Sequence, residues 1–355
     1  MIALLGRRDN PTDGVEDYCK NLGRAFAKNG HDLKLVRVPW AELGWIRALV
    51  RLWRQSRDWE GQWTLVQYTA LAWSRHGFSL GFLAVLGVLK KRHAQLAVVF
   101  HDAEFYGGAR VVDRIRRGCQ RWVVRTSYRW AFRSIVTVPI ASAPCLPPDA
   151  TKAAFVPLGA NVPASSQNGD GKSRERKTVV VFGVTGAGTV GSEIADIAYC
   201  MEKVSRHVQR PQLVLVGRDS KEAEGRLRHA LNGASVDIIA RGVLPAEEVA
   251  QTLRTSDAML FVRGPISTKR GSAIAGIACG LPVVAYSGPQ TGPPLTEAGV
   301  MLAPRGDQQR LADALVQVLR DEQVWQELHR RSLYAQQHHF SWDAIADRLM
   351  SVLDT

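Results

Sequence analysis

Residues 258–285 read AMLFVRGPISTKRGSAIAGIACGLPVVA. Ala258 to Val262 is a short apolar run, and Arg263 to Ser272 is a polar loop containing Gly, Pro and cations. Ala273 to Cys279 is a helical run of small residues, and the turn Gly280-Leu281-Pro282 leads into a second apolar run, Pro282 to Ala285. Strands apolar along their whole length, separated by a helix, suit a parallel sheet covered on both faces. In open sheets of this kind ligands bind at the carboxyl ends of the strands, where loops run into helix N-termini. A helix N-terminus presents free amides and roughly half a positive charge. With Lys269, Arg270, Gly271 and Ser272 beside it, and Ser267 close by, the loop suits an anion such as a diphosphate. The plain alternative is a solvated basic loop in which Ser272 is only an N-cap.

The same alternation extends in both directions. Ile2 to Leu5, Leu33 to Val38, Thr64 to Gln67, Leu96 to Phe100, Ser134 to Val138 and Ala153 to Val156 are strand candidates in a first domain, residues 1–163, with helices over Val15 to Asn29 and Ser79 to Arg92. A polar stretch, 164–177, lacks apolar periodicity and reads as a linker. A second domain, 178–340, has strands at Thr178 to Phe182, Gln212 to Val216, Val236 to Ile239, Ala258 to Val262, Pro282 to Ala285 and Val300 to Leu302. Strands and helices alternating in this way predict an α/β, doubly wound fold in each domain. One helix is expected from Gln309 to about Gln337, and a last one, 341–355, opens with Ser341 as N-cap and is expected to pack back on the first domain.

Composition limits the function classes. The chain has 355 residues, the size of two domains, and a net charge of +13, which draws it to something acidic. Cys19, Cys119, Cys145, Cys200 and Cys279 are odd in number and form no CxxC pair, which argues against a disulfide framework and against structural zinc. The N-terminal residues read as strand, loop, helix and strand rather than as a secretory signal. The most apolar window, Gly77 to Leu89, is shorter than the roughly 20 residues a spanning helix needs.

Two further loops follow strands. Gly183, Thr185 and Gly188 give backbone amides room to approach a ligand, although the loop lacks the full dinucleotide spacing, which disfavours an oxidoreductase. Val98-Val99-Phe100-His101-Asp102 ends a strand in a polar pair, so His101 is a catalytic candidate or a structural histidine.

Taken together, these motifs resemble the retaining GT-B glycosyltransferases of family 4, in the branch carrying Arg-Gly-Ser at the head of the donor-site helix. Lys269 to Ser272 with Ala278 to Ala285 looks like that helix and its strand. Phe155 to Val162 is similar to the pre-linker signature. Thr12 to Tyr18 is similar to the N-terminal glycine loop, with Gly14 and Glu16 in place. His101 matches the donor-facing histidine, and Phe340-Ser341-Trp342 the crossover helix. The resemblance implies two facing Rossmann-like domains with a deep cleft and transfer of a sugar from a nucleoside-diphosphate sugar to a lipid-linked or polysaccharide acceptor. It also implies retention of configuration; no metal cluster of carboxylates is apparent in the sequence, so metal independence is expected, with the nucleoside-diphosphate sugar as co-substrate and no cofactor. Lys269, Arg270, Gly271 and Ser272 would hold the diphosphate, Gly183 and Thr185 would line the donor pocket, His101 would touch the sugar, and Gly14 and Glu16 would close near the donor. Arg218, Arg263 and Glu297 are further donor contacts. Ser267 and Ala275 stand where most relatives carry paired glutamates, and Val190 where many carry a lysine. A nucleotide-sugar epimerase of the same architecture and a non-catalytic donor-binding relative are the alternatives.

The charge has a pattern of its own. Arg110, Arg114, Arg117, Arg121, Arg125, Arg129 and Arg133 recur at spacings of three and four, with Ile115, Cys119, Trp122, Val123 and Trp130 on other faces. Trp45 to Arg57 repeats the mixture with Arg47, Arg51 and Arg54. Such helices suit an anionic membrane surface, with Arg114, Arg117, Arg121, Trp122 and Arg125 as its contacts and the inner face of the cell membrane as the cytoplasmic location. Nucleic acid is disfavoured, because no recognition motif accompanies the charge.

Overall fold

In the computed structural model, which describes residues 1–9, 13–102, 104–164, 176–184 and 190–354, the chain divides into two compact units. One is Met1–Pro157 with Trp342–Thr355; the other is Leu158–Ser341. The division falls before the expected boundary at residue 163, and most of the expected linker lies outside the described residues.

The first unit is a parallel sheet of β1 (Ile2–Leu5), β2 (Lys34–Arg37), β3 (Trp63–Tyr68), β4 (Gln95–Phe100), β5 (Arg133–Val136) and β6 (Ala153–Phe155), in the order β2-β1-β3-β4-β5-β6. Its helices are α1 (Gly14–Lys28), α2 (Trp40–Leu43), α3 (Trp45–Gln55), α4 (Leu80–Lys91) and α5 (Val111–Trp130). Every residue of β3 and β4 after the first is buried, as the apolar runs require.

In the second unit β7 (Thr178–Phe182), β8 (Gln212–Val216), β9 (Asp237–Gly242), β10 (Ala258–Phe261), β11 (Val283–Tyr286) and β12 (Val300–Ala303) are all parallel and lie in the order β12-β11-β10-β7-β8-β9. They are covered by α6 (Val190–Ser205), α7 (Ser220–Ala230), α8 (Ala246–Arg254), α9 (Gly271–Ala278), α10 (Gln308–Arg320) and α11 (Glu322–Ala335). Successive β7 residues serve opposite layers: Val179 and Val181 pack with α6 and α10, and Val180 with α8 and α9. The expected single helix after Gln309 is two. Asp321 breaks it, its carboxylate accepting the amides of Gln323 and Val324 at 3.0 and 3.1 Å to cap α11. Gly299 fixes how closely α11 approaches, because a Cβ there would overlap the Leu328 carbonyl and the Ser332 hydroxyl. Gly299→Ala is therefore expected to destabilise the chain by about 1–3 kcal/mol through overpacking, read as a lowered thermal unfolding midpoint.

The last helix, α12 (Trp342–Asp354), belongs to the first unit. It lies on α1, where Lys28 Nζ meets Asp343 at 2.8 Å, Asn29 Nδ2 meets Asp347 at 3.0 Å and Trp342 stands edge-on to Tyr18.

Candidate functional site

In the second sheet the order in which successive strands are added reverses between the parallel neighbours β7 and β10, and the loops leaving these strands diverge to open a crevice at their carboxyl ends. Gly183 follows β7 with φ of 83°, and a side chain there would displace the Arg263 guanidinium, which lies 2.9 Å from the Cβ position. Arg263 thus rests over backbone that only glycine leaves bare. Ile266 N–H donates to the Tyr286 carbonyl and Thr291 Oγ1 to the Ile266 carbonyl, which folds the β10–α9 loop back on the sheet. That loop delivers Arg270 to the N-cap of α9.

The outcome is an open cavity of about 600 Å³, lined by Arg263, Arg270, Arg305, Glu193, Asp196 and Tyr286, with Val262, Gly264, Gly306 and Gln308. Glu193 and Asp196 are buried side chains of α6, and Gln308 Nε2 donates to Asp196 at 2.7 Å. Burial first, and then the Asp196 charge, pushes the Tyr286 phenol well above its ordinary pKa, so it is a neutral hydroxyl at physiological pH. Guanidinium groups outnumber carboxylates around the cavity, and the first turn of α9 opens beside it. The arrangement favours a phosphorylated ligand and also offers groups that bond hydroxyls.

Of the residues expected to bind donor, Gly183, Arg263 and Arg270 come together here. Gly271 begins α9 and Ser272 is its second residue, so Ser272 is not the N-cap. Lys269 follows the same loop but does not line the cavity. Arg218 is exposed after β8, and Glu297 is exposed after β11, its carbonyl held by Arg331; neither lines the cavity. Ser267 and Ala275 are buried, at 2% and 1% exposure, so neither is placed to meet a ligand. Thr185 lies outside the described residues. Sequence reasoning missed Glu193, Asp196, Tyr286, Arg305 and Gln308. Tyr286 and Arg305 could have been found by the strand-end rule that singled out Arg263.

In the first unit, Asp13 caps α1 by accepting the amides of Val15 and Glu16 at 3.1 Å. Arg37 donates to the Gly6 carbonyl at 2.7 Å, to Asp13 at 3.2 Å and to Glu16 at 2.7 Å. Glu16 is therefore occupied structurally: Lys20 above all, with Arg37 and Arg8, holds its carboxyl below the usual range. Gly14 is the first residue of α1. His101 stands at the carboxyl end of β4, edge-on to Tyr18, with Nε2 2.8 Å from Gln67 Oε1. Burial lowers its pKa from 6.5 to about 4, against an opposing pull from Asp13.

That shift has a consequence for stability. Between pH 6.5 and 4 the unfolded chain binds a proton at His101 that the folded chain does not, so stability falls as pH falls through this window. Removing the ring in His101→Gln is expected to abolish roughly 2 kcal/mol of that loss, allowing for partial solvent exposure. Denaturant unfolding at pH 7, 5.5 and 4.5 measures it.

Residues 180–321 match the family model described as glycosyl transferases group 1. No curated protein matches the sequence. Among solved structures, the chain is similar to Anabaena HepE, determined with UDP and glucose, at 15% identity over 99% of both chains with a TM-score of 0.66. It is similar to sucrose-phosphate synthase from Thermosynechococcus elongatus at 18% identity over 99% of this chain and 98% of that one, TM-score 0.69. A Listeria monocytogenes structure assigned as a UDP-N-acetylglucosamine 2-epimerase also shares the fold, at 12% identity over 99% and 95%, TM-score 0.60. These likenesses establish the GT-B fold.

The first unit carries the arginine pattern, with corrections. Arg110 caps α5 and Arg133 is in β5, so both lie outside the helix. Arg117 is half-buried, bonded to the Gly108 carbonyl. Arg114, Arg121, Arg125 and Arg129 are exposed, and so are Ile115 at 60% and Trp122 at 57%, which join the arginines instead of facing away. The only carboxylate of α5, Asp113, is buried. α4 packs between α3 and α5, and neither α3 nor α4 contains an acidic residue. On α3, Ile46, Val50 and Trp53 are exposed beside Arg47, Arg51 and Arg54. Among the described residues no helix is long and apolar enough to cross a membrane.

Proposed function

We propose that this chain transfers a glycosyl unit from a nucleoside-diphosphate sugar to a hydroxyl of a lipid-linked or polysaccharide acceptor. The transfer proceeds with retention of configuration and without a metal, at the inner, cytoplasmic face of an anionic membrane. The observation that carries the donor half is the convergence of Arg263 and Arg270 on a cavity at the first turn of α9, within a glycosyl transferase group 1 domain. A diphosphate leaving group accumulates charge as its bond to the sugar breaks. Guanidinium groups and helix amides fixed in advance stabilise that charge at the transition state. The departing phosphate takes the acceptor's proton, so the protein positions and neutralises rather than attacks. The exposed arginines with Ile115 and Trp122 on α5, and the matching mixture on α3, support the membrane half.

The test is calorimetry with UDP-glucose, UDP-galactose, UDP-N-acetylglucosamine and GDP-mannose, followed by incubation of the best binder with and without a membrane extract as acceptor. Transfer only with acceptor supports the proposal, whereas conversion of the free nucleotide sugar would point to epimerase chemistry, and binding without either to a non-catalytic relative.

A further inference from the structure

Two polar side chains on the wall of the second-unit cavity are buried without the partners that burial demands. Asp196, in α6, is 8% exposed, and Gln308 Nε2 donates to its Oδ1 at 2.7 Å. Among the described residues its other oxygen, Oδ2, makes no hydrogen bond, and no lysine or arginine lies within ion-pair distance of it. Tyr286, at the carboxyl end of β11, is 4% exposed, and its hydroxyl has no hydrogen-bond partner among the described residues. Asp196 stands beside that hydroxyl and acts on it electrostatically, but no hydrogen bond of normal geometry joins the two. Neither side chain is loosely placed. The Tyr286 backbone carbonyl accepts the Ile266 N–H at 2.8 Å, its strand pairs with β12, and Gln308 holds Asp196 from the first residue of α10. Buried polar groups in folded proteins are almost always satisfied, so the pair points to a bound group that completes both.

The chemistry of that group follows from the two side chains. It must donate to the Asp196 carboxylate and accept from the Tyr286 hydroxyl. An ionised phosphate oxygen has no hydrogen to donate and is repelled by the carboxylate. An ammonium group donates, but Arg263, Arg270 and Arg305 line the same cavity and oppose a further cation. A hydroxyl donates and accepts at once. We propose that Asp196 and Tyr286 form a hydroxyl-reading corner of the cavity, which holds a sugar hydroxyl of a ligand whose phosphates lie against the arginines. The ligand class rests on the proposed function. The hydroxyl belongs either to the ribose or to the transferred sugar, and the two sources give different binding patterns.

Calorimetry with inorganic pyrophosphate, the tightest nucleotide sugar of the panel and its nucleoside diphosphate tests the corner. Tyr286→Phe removes one oxygen and is expected to weaken the nucleotide sugar about 3- to 10-fold, as loss of one hydrogen bond would. Asp196→Asn is expected to weaken it about 10-fold or more, because the bond lost is to a charged group. Pyrophosphate brings phosphates but no sugar hydroxyl. It should bind Tyr286→Phe like the native protein and Asp196→Asn more tightly, since a negative charge has left the cavity. A carboxylate that merely held the fold would not produce effects of opposite sign on the two ligands. If the hydroxyl is the ribose's, the nucleoside diphosphate alone shows the loss; if it is the transferred sugar's, the nucleoside diphosphate follows pyrophosphate. Thermal unfolding monitors folding, and Tyr286→Phe, which relieves the burial of an unsatisfied hydroxyl, should be at least as stable as the native protein, so it decides if Asp196→Asn fails to fold. Native affinity of the folded variants for the nucleotide sugar, or an equal loss for pyrophosphate, would overturn this assignment alone. Failure of the native protein to bind any nucleotide sugar would overturn the functional reading and this assignment with it.

Discussion

Arg270→Ala is expected to weaken binding of a nucleoside-diphosphate sugar by about 10- to 100-fold, because a hydrogen bond to a charged group contributes about 1.5–3 kcal/mol. The effect should fall on the ligand and not on the fold. Arg270 occupies the N-cap of α9 without a side-chain capping bond, and its carbonyl, which accepts the amides of Ala273 and Ile274, survives the substitution. Arg270→Lys should recover part of the affinity, since a point charge remains but the planar fork is lost. Lys269→Ala should cost less, because Lys269 does not line the cavity. Calorimetry on the native protein and the three variants distinguishes these cases. Equal dissociation constants for the native protein and Arg270→Ala would remove the diphosphate from this site.

A larger change is expected on the other unit. Charge reversal at Arg51, Arg121 and Arg125 together should abolish co-sedimentation with vesicles containing anionic lipid. Each exposed arginine contributes about 1 kcal/mol near such a surface, and reversal converts attraction to repulsion. The total is on the order of 5 kcal/mol, more than a thousandfold in partitioning. These side chains are exposed on helices whose outer faces present no carboxylate, so the substitutions should leave stability nearly unchanged. Native binding should weaken from 50 mM to 500 mM salt as screening grows. Trp122→Ala should reduce the binding that persists at high salt, since its indole contributes apolar contact that salt does not screen. Binding to neutral vesicles as tight as to anionic ones would refute this electrostatic account.

The central strands were legible because β1, β10 and β11 are short apolar runs whose residues are all covered, a property of adjacent residues. The break at Asp321 was legible too, since an aspartate ahead of a helical turn is a capping signal, but it lay inside a continuous apolar periodicity that masked it. Glu16 shows the limit of local reading. Its position in the loop suggested a ligand contact, whereas Arg37, brought next to it by the pairing of β1 with β2, occupies it structurally. Glu193 and Asp196 were invisible for the converse reason: nothing on α6 indicates that the ends of β10, β11 and β12 bring Arg263, Tyr286 and Arg305 opposite them. On α5, spacing alone placed Trp122 away from the arginines, while the packing partners of the helix leave both facing solvent.

The return of α12 to the first unit also shapes how the polypeptide matures. During synthesis the second unit is made in full before Trp342 emerges, so the partner surface of α1 around Tyr18 waits uncovered until α12 has been made. Shortening the gene to end before Trp342 would leave that surface bare permanently. The damage would appear as aggregation of the amino-terminal half, even though every residue of that half had been retained.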